Sequence, residues 1–370
     1  MNTGDIRRYA KVDKYGCTAI HLKDLFYDKS FFILTYSNRR TMSKKSILIT
    51  GAAGFAGHHV VEHILKTTDY DVTVLDKLTY ASNGMDRLRD IKALENSRLK
   101  MLAGDFSEEL SVGIKREIGS PEFIIHMGAE THVDNSIIDP YPFVKANVVG
   151  TMHMLNFARE VQPKTFLYFS TDEVFGPAPE GVFYKEDDRY NCTNPYAAAK
   201  AGGEQLAMAY ATSYGINVLV THTMNLFGER QHPEKFIPLV IRKVMQGESI
   251  TIHADKTRTN AGQRHYIHCR NMADAVMFIL NKDWKRDKIN IVGEKEVNNL
   301  DLAKTIANIL GKPLIYEMVD FHSSRPGHDL RYALDGTKLT ELGWVQPKGF
   351  EESLEKTIRW TLNHPEWYKI

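Results

Sequence analysis

Two groups of residues have the types and spacing for redox chemistry on a dinucleotide. Tyr196-Ala-Ala-Ala-Lys200 sets a phenol and an ammonium four positions apart. Residues i and i+4 share a helix face, and Asn194-Pro195 is a helix opening, so Lys200 would stand beside Tyr196 and favour its phenolate. A free tyrosine titrates near 10, so a base working near neutrality needs its phenolate stabilised by about 4 kcal/mol. Lys200 and a positively charged nicotinamide ring could supply that. Alone, this spacing is more often a solvated helix face. The second group is Gly51-Ala-Ala-Gly54-Phe-Ala-Gly57, between an apolar run and a helical pattern. Gly51 suits a tight turn, Gly54 a close approach of pyrophosphate to backbone, and Gly57 close helix–strand packing. Free N–H groups at the helix start would face the phosphates. Asp76 follows 19 residues after Gly57. A carboxylate there accepts from the adenosine ribose hydroxyls and repels a 2′-phosphate, which favours NAD over NADP. Asp105-Phe106 could flank the adenine, or Asp105 could cap the next turn.

Alternating elements must position these groups. Short apolar runs at Ser46–Thr50, Asp71–Leu75, Phe123–His126, Phe166–Phe169, Val218–Thr221 and Ile289–Val292 read as strands. Helical patterns lie between them at Gly54–Thr68, Phe143–Glu160 and Pro195–Tyr214, with Val144, Val148, Met152 and Leu155 on one face of the second. The alternation predicts an α/β fold: a Rossmann-type doubly wound parallel sheet with a smaller C-terminal substrate-binding lobe. Three regions are expected. Residues 1–41 form an N-terminal extension without a catalytic role, 42–225 an NAD-binding domain carrying the catalytic residues, and 226–370 mainly a nucleotide-sugar lobe with segments returning to the first domain.

Added to the glycine loop and the Tyr-Lys pair, Ser170-Thr-Asp-Glu-Val-Phe-Gly176 makes the chain resemble the dTDP-glucose 4,6-dehydratases of the extended short-chain dehydrogenase/reductase family. Matching stretches also run through Asp76–Ala81, His126–Asp134, Pro233–Pro238 and Arg325–Asp329, so that the likeness extends from about Met42 to Trp367. The resemblance implies that Thr171 holds the sugar's 4-hydroxyl and Tyr196 takes its proton, while C4 gives a hydride to NAD. It makes Glu173 the base at C5 and Asp172 the acid for the departing 6-hydroxyl. One carboxyl must then be protonated and its neighbour ionised, which a partly buried loop can arrange. It adds Phe55, Lys77 and Ala129 to the cofactor residues. To the substrate it assigns Thr131, Asn225, Lys235, Arg264, Asn290, Arg325 and His328, the guanidinium groups matching diphosphate geometry. It also implies a homodimer, packed through the helices near 143–160 and 195–214.

Three departures from the family pattern bear on the site. Leu226 stands where the family has a second asparagine, Phe175 where it has tyrosine, and Asp255–Gln263 is longer than usual. A thymine and a uracil differ by one methyl, worth only about 1–3 kcal/mol, so dTDP-glucose and UDP-glucose both stand as substrates. Other enzymes of the fold, 4-epimerases and UDP-glucuronate decarboxylases, are the nearer alternatives, and a non-catalytic NAD-binding scaffold the remoter one. The Asp172-Glu173 pair argues against the first two, the retained Tyr196 and Lys200 against the third.

The 370-residue composition is ordinary for a globular chain, 43% hydrophobic and 25% charged. Lys and Arg total 47 against 46 Asp and Glu, a net charge of +1 that gives no reason to expect nucleic acid or an anionic membrane as partner. Cys17, Cys192 and Cys269 are too few and too widely spaced for a disulfide framework or a zinc site, so a reducing cytoplasm and no metal are expected. No apolar run is long enough to span a membrane, and FFILTY at 31–36 is too short for a convincing signal-peptide core.

Overall fold

The computed structural model describes Ala10–Val12, Thr18–His21, Phe32–Thr35 and residues 45–79, 82–321 and 330–367. Met1–Lys44 and Lys45–Ile370 form two separate units. In the first, β1 (Ala10–Val12), β2 (Thr18–His21) and β3 (Phe32–Thr35) pair as an antiparallel sheet.

In the second unit, β4 (Ser46–Thr50), β5 (Asp71–Asp76), β6 (Leu99–Ala103), β7 (Phe123–His126), β8 (Thr165–Thr171), β9 (Val218–Thr223) and β13 (Asp287–Ile291) build one seven-stranded sheet. Its order is β13-β9-β8-β7-β4-β5-β6, and every pairing is parallel. Ile47, Leu48 and Ile49, like Phe123 to Ile125, are fully or almost fully buried, the continuous apolar run that a sheet covered on both faces requires. On one face lie α1 (Phe55–Thr67) and α9 (Cys269–Leu280), with Val60, Val61 and Ile64 packed into a core shared with Met272, Val276 and Ile279. On the other, Leu155 and Phe157 of α6 (Thr151–Val161) and Ala207 of α7 (Pro195–Tyr214) cover Leu48, Ile124 and Phe166. The chain turns away in opposite directions from β4 and β7, and the crevice beyond their carboxyl ends is where such sheets bind ligands.

A third core lies against α8 (Phe236–Gln246), α10 (Asn299–Leu310) and the helix at Phe350–Asn363. It serves two small sheets, β10 (Asn225–Phe227) with β12 (Gln263–His268) and β14 (Glu296–Asn298), and β11 (Ile250–Ala254) with β15 (Tyr316–Asp320).

The helix expected at 143–160 is not one regular helix. After α5 (Tyr141–Val144) comes a π-helical segment, Lys145–Gly150, and only then α6. A π-turn carries an extra residue, which rotates the apolar face. Val144 is therefore exposed while Leu155, from the same expected stripe, is fully buried. The wide turn leaves Asn147 free to clamp the loop after β7: its Oδ1 accepts from Glu130 N–H at 2.9 Å and its Nδ2 donates to Glu130 O at 2.9 Å.

Helix α7 lies against this segment, and its glycines set the approach. A Cβ at Gly203 would meet Asn147 O at 2.2 Å and Tyr168 Oη at 2.5 Å, whereas at Gly202 it would meet only a Val148 methyl at 3.2 Å. Gly203→Ala should therefore destabilise the protein by about 1–3 kcal/mol. Gly202→Ala should be near neutral, because the valine can turn and alanine favours the helix. Paired urea and thermal melts check this; equal melting temperatures for the two variants would show that α7 is not set by that close approach.

Candidate active site

The redox and carboxyl groups come from two adjoining places. Strand β8 runs to Thr171 and passes into a single 3₁₀ turn, Asp172–Phe175. Thr171 caps that turn: its hydroxyl accepts from Glu173 N–H at 3.3 Å and donates to Asp172 Oδ1 at 2.9 Å. Helix α7 opens beside it. The Asn194 side chain accepts from Ala197 N–H at 2.8 Å, and Pro195 fills the first turn, where its missing N–H costs nothing. Tyr196, directly after Pro195, and Lys200, one turn further on, are both buried, facing the end of β8.

Burial dominates the electrostatics. It pushes Asp172 up to about 6, against the Thr171 hydrogen bond and the Arg264 charge. It pushes Glu173 up to about 7, helped by the charge of Asp172 and opposed by Asn194, Arg264 and Lys235. Asp172 Oδ2 is buried with no hydrogen-bond partner among the described residues. An ionised oxygen there would be unsolvated, while a protonated one is a donor aimed at whatever enters. Burial and the Glu173 charge hold the Tyr196 hydroxyl well above its ordinary value, only partly offset by a Thr171 hydrogen bond. This differs from the expected lowering. The Lys200 ammonium donates to Phe169 O at 2.5 Å and lies 4.3 Å from the Tyr168 ring centre, and burial brings it down to about 7.

Two cavities meet at these groups. One, of about 410 Å³, runs along the crevice at the sheet's carboxyl end. Its wall includes Gly51, Gly54, Phe55, Gly57, Asp76, Lys77, Phe106, Ala129, Tyr196 and Lys200. Its glycine loop is tight: a Cβ on Gly51 would lie 2.5 Å from Gly128 Cα, and one on Gly57 2.5 Å from Ala52 Cα. Asp76 is held by Ala53 N–H at 2.9 Å and Leu78 N–H at 2.8 Å. The other cavity, of about 460 Å³, includes Arg264, Asn299 and Tyr332. Thr131, Asp172, Glu173, Asn225 and Lys235 line both. Arg264 donates to Leu330 O at 2.6 Å and lies over the Tyr332 ring at 4.6 Å.

Not every expected residue is brought there. Asn290 is fully buried on β13 and lines neither cavity. Its amide donates to Tyr184 O and Asp335 O, each at 3.0 Å, and its Oδ1 pairs with His222, so it has no group left for a substrate. Asp105 stays outside the cleft wall. It accepts from Ser107 N–H at 2.8 Å, the turn alternative, and pairs with Lys77 at 3.6 Å. Arg325 and His328 lie outside the described residues. Sequence reasoning passed over Arg87, which is buried yet reaches the cleft near Asp76, and the His132, His232 and Glu234 cluster at the junction of the two cavities. It read Asn194 only as a helix opening; its amide also donates to Glu173 Oε2 at 3.1 Å.

Comparison with known proteins agrees with this architecture. The family model described as GDP-mannose 4,6 dehydratase matches residues 48–357. The Escherichia coli dTDP-glucose 4,6-dehydratase is 34% identical over 87% of this chain and 95% of that protein. An Arabidopsis thaliana trifunctional UDP-glucose 4,6-dehydratase/UDP-4-keto-6-deoxy-D-glucose 3,5-epimerase/UDP-4-keto-L-rhamnose-reductase is 37% identical over 89% of this chain. The chain spans about half the length of that plant relative, 49%. Among solved structures, the Streptomyces venezuelae dTDP-glucose 4,6-dehydratase crystallised with NAD superposes with a TM-score of 0.79 and 32% identity, covering 88% of this chain and 99% of that one. On the strength of the matched model and these relatives, the chain belongs to the GDP-mannose 4,6 dehydratase family.

Proposed function

We propose that the protein is an NAD-dependent nucleotide-sugar 4,6-dehydratase, converting dTDP-glucose or UDP-glucose to the 4-keto-6-deoxy sugar. The observation that carries this is the Asp172-Glu173 pair between the two cavities, Asp172 buried and Glu173 half-buried, with Tyr196 beside it. The glycine loop, Asp76 and Phe106 suit the dinucleotide, and Lys235 and Arg264 a diphosphate in the second cavity. In this reading residues 42–225 supply the cofactor and catalytic groups and 226–370 most of the nucleotide-sugar lobe. Bound in the cleft, NAD would supply a hydride acceptor for C4 that returns the hydride to C6, and a positive nicotinamide ring.

The protein's own groups move protons. Burial holds the Tyr196 hydroxyl up, so its phenolate would depend on the positive ring of bound NAD; in that form Tyr196 takes the 4-hydroxyl proton while Thr171 holds that oxygen. The 4-ketone so formed acidifies C5–H, and the Glu173 carboxylate takes that proton. Asp172 Oδ2–H protonates the 6-hydroxyl, so C6–O breaks, water leaves and the C5–C6 double bond forms. Glu173 gives its proton back to C5 as C6 is reduced. Tyr196 ends with one proton more and Asp172 with one fewer, and exchange with solvent restores both. The sugar has lost one water and the cofactor is unchanged. The unpaired Cys192 and Cys269 suit a reducing cytoplasm.

Incubation with dTDP-glucose, UDP-glucose, GDP-mannose and UDP-N-acetylglucosamine, read by mass, tests the reaction and base preference together; intact masses for all four defeat the reading. Tyr196→Phe should abolish both cofactor reduction and water loss. Asp172→Asn should slow dehydration roughly 10²–10⁴-fold yet still oxidise C4, so enzyme-bound NADH should accumulate in a single turnover and absorb near 340 nm. An Asn variant as silent at 340 nm as the Phe variant would remove the separation of roles.

The same reading includes a homodimer. Ile138 and Tyr141 are 82% and 70% exposed, with Ile137 and Val144 beside them in sequence on the helical segment next to α7. Apolar side chains clustered so closely have reason to be covered. Light scattering should give twice the 42.2 kDa chain mass, and Ile138→Asp with Tyr141→Asp should halve it. A wild-type monomer at micromolar concentration would refute the dimer.

A further inference from the structure

The carboxyl pair poses a question of assignment. Its two groups sit side by side, Asp172 buried and Glu173 half-buried, and the proposed chemistry needs an ionised Glu173 and a protonated Asp172. The geometry identifies a group that shifts the balance that way.

Asn194 is 5% exposed, and the two ends of its amide make bonds in different directions. Its Oδ1 accepts from Ala197 N–H at 2.8 Å, which caps α7. That bond fixes which amide atom faces the other way. Its Nδ2–H₂ must then point at Glu173, and it donates to Oε2 at 3.1 Å. A donor is satisfied by a carboxylate oxygen and opposes a carboxylic O–H at the same place. Across the turn, Asp172 has no such donor: Thr171 serves Oδ1, and Oδ2 is buried and unpartnered among the described residues.

We propose that Asn194 is a positioning residue of the carboxyl pair: by donating to Glu173 Oε2 while capping the helix of Tyr196, it favours the ionised form of Glu173 and so shifts the pair's proton toward Asp172. The inference rests on the dehydratase reading for its consequence but not for its geometry. Other groups face Glu173 too. Asp172, Tyr196 and Cys192 lie on the negative or potentially negative side, Lys235 and Arg264 on the positive side. Lys235 and Arg264 act on it as charges; Asn194 is bonded to it and belongs to the element that carries Tyr196. It therefore also sets where the base stands relative to the phenol that oxidises C4.

The test uses Asn194→Ser and Asn194→Asp. Both keep an N-cap acceptor. Serine lacks the reach to Glu173, and aspartate replaces the donor with a charge. Infrared difference titration of the full-length protein, with the carboxylic C=O band assigned by its loss in Glu173→Gln, reads the Glu173 midpoint without any substrate. A donor to a carboxylate favours the charged form, so its removal raises the midpoint. The expected rise is about 1–2 pH units in Asn194→Ser and more in Asn194→Asp. With substrate, the acid limb of C5 exchange with solvent deuterium should move up by the same amount, while the pH dependence of NADH formation stays in place. A midpoint and an exchange limb that do not move in either variant overturn the proposal. So does a loss of exchange and NADH formation in equal measure at every pH, which is what simple disruption of α7 would give. If the infrared midpoint rises but no nucleotide sugar shows exchange even with the wild-type protein, the assignment of Asn194 stands and the dehydratase reading falls.

Discussion

Two neighbouring carboxyl groups, Asp172 buried and Glu173 half-buried, stand at the end of a parallel strand, and most of the site follows from that. Ionising a carboxyl whose titration has risen to near neutrality costs the folded protein on the order of a few kcal/mol at pH 7. A chain tolerates such a cost only where the surroundings over-determine the geometry. Here the 3₁₀ turn is capped by Thr171, tied to α7 through Asn194, and backed by the fully buried Phe175, whose ring stacks on Tyr184 and meets His222 edge-on. That ring is apolar and packed, so phenylalanine serves there without a hydroxyl.

The sheet supplies the rest of the constraint. The two cavities can share one junction only if a strand ends between them. Strand β8 does so because it lies next to β7, at the side of the sheet's topological switch. The π-segment contributes at one remove. Asn147 holds both backbone groups of Glu130, so the loop that passes beneath both cavities is pinned from behind. Gly203 lets α7 come close enough for Tyr196 to reach that junction.

How much of this could be read from the sequence divides along physical lines. Local signals were sufficient for α7, where an Asn-Pro opening and a glycine past the end mark both termini, and for the β4 loop, where glycine spacing fixes backbone shape. The continuous apolar runs gave the parallel sheet, because buried strands have no polar alternation to obscure. The π-turn at 145–150 was not legible, since one extra residue in a helix leaves no mark in a four-residue periodicity. Asn290 was assigned to the substrate by the resemblance alone, and nothing local to it shows how its side chain is used. Only the tertiary pairing with His222 and two carbonyls shows that it is spent. Arg87 was missed for the converse reason: its place beside Asp76 is set by the fold, and no local pattern separates a buried arginine on a short helix from a solvated one.

Strand β8 carries a control for this argument within itself. Ser170, next to Thr171, donates to Glu204 on α7 at 3.0 Å. Glu204 is as buried as Asp172, yet its titration falls below the ordinary range. Burial raises it, but His222 at 3.1 Å, Lys288 at 3.3 Å, the Tyr190 hydroxyl and Ser170 together outweigh burial. The fold is therefore able to satisfy a buried carboxylate completely within one helical turn of Lys200. It does so for Glu204. Among the described residues it leaves Asp172 Oδ2, at the cleft, without a partner. The same functional group at the same depth is a bonded anchor in one place and keeps an unpartnered oxygen among the described residues in the other, and what separates them is the number of donors within reach.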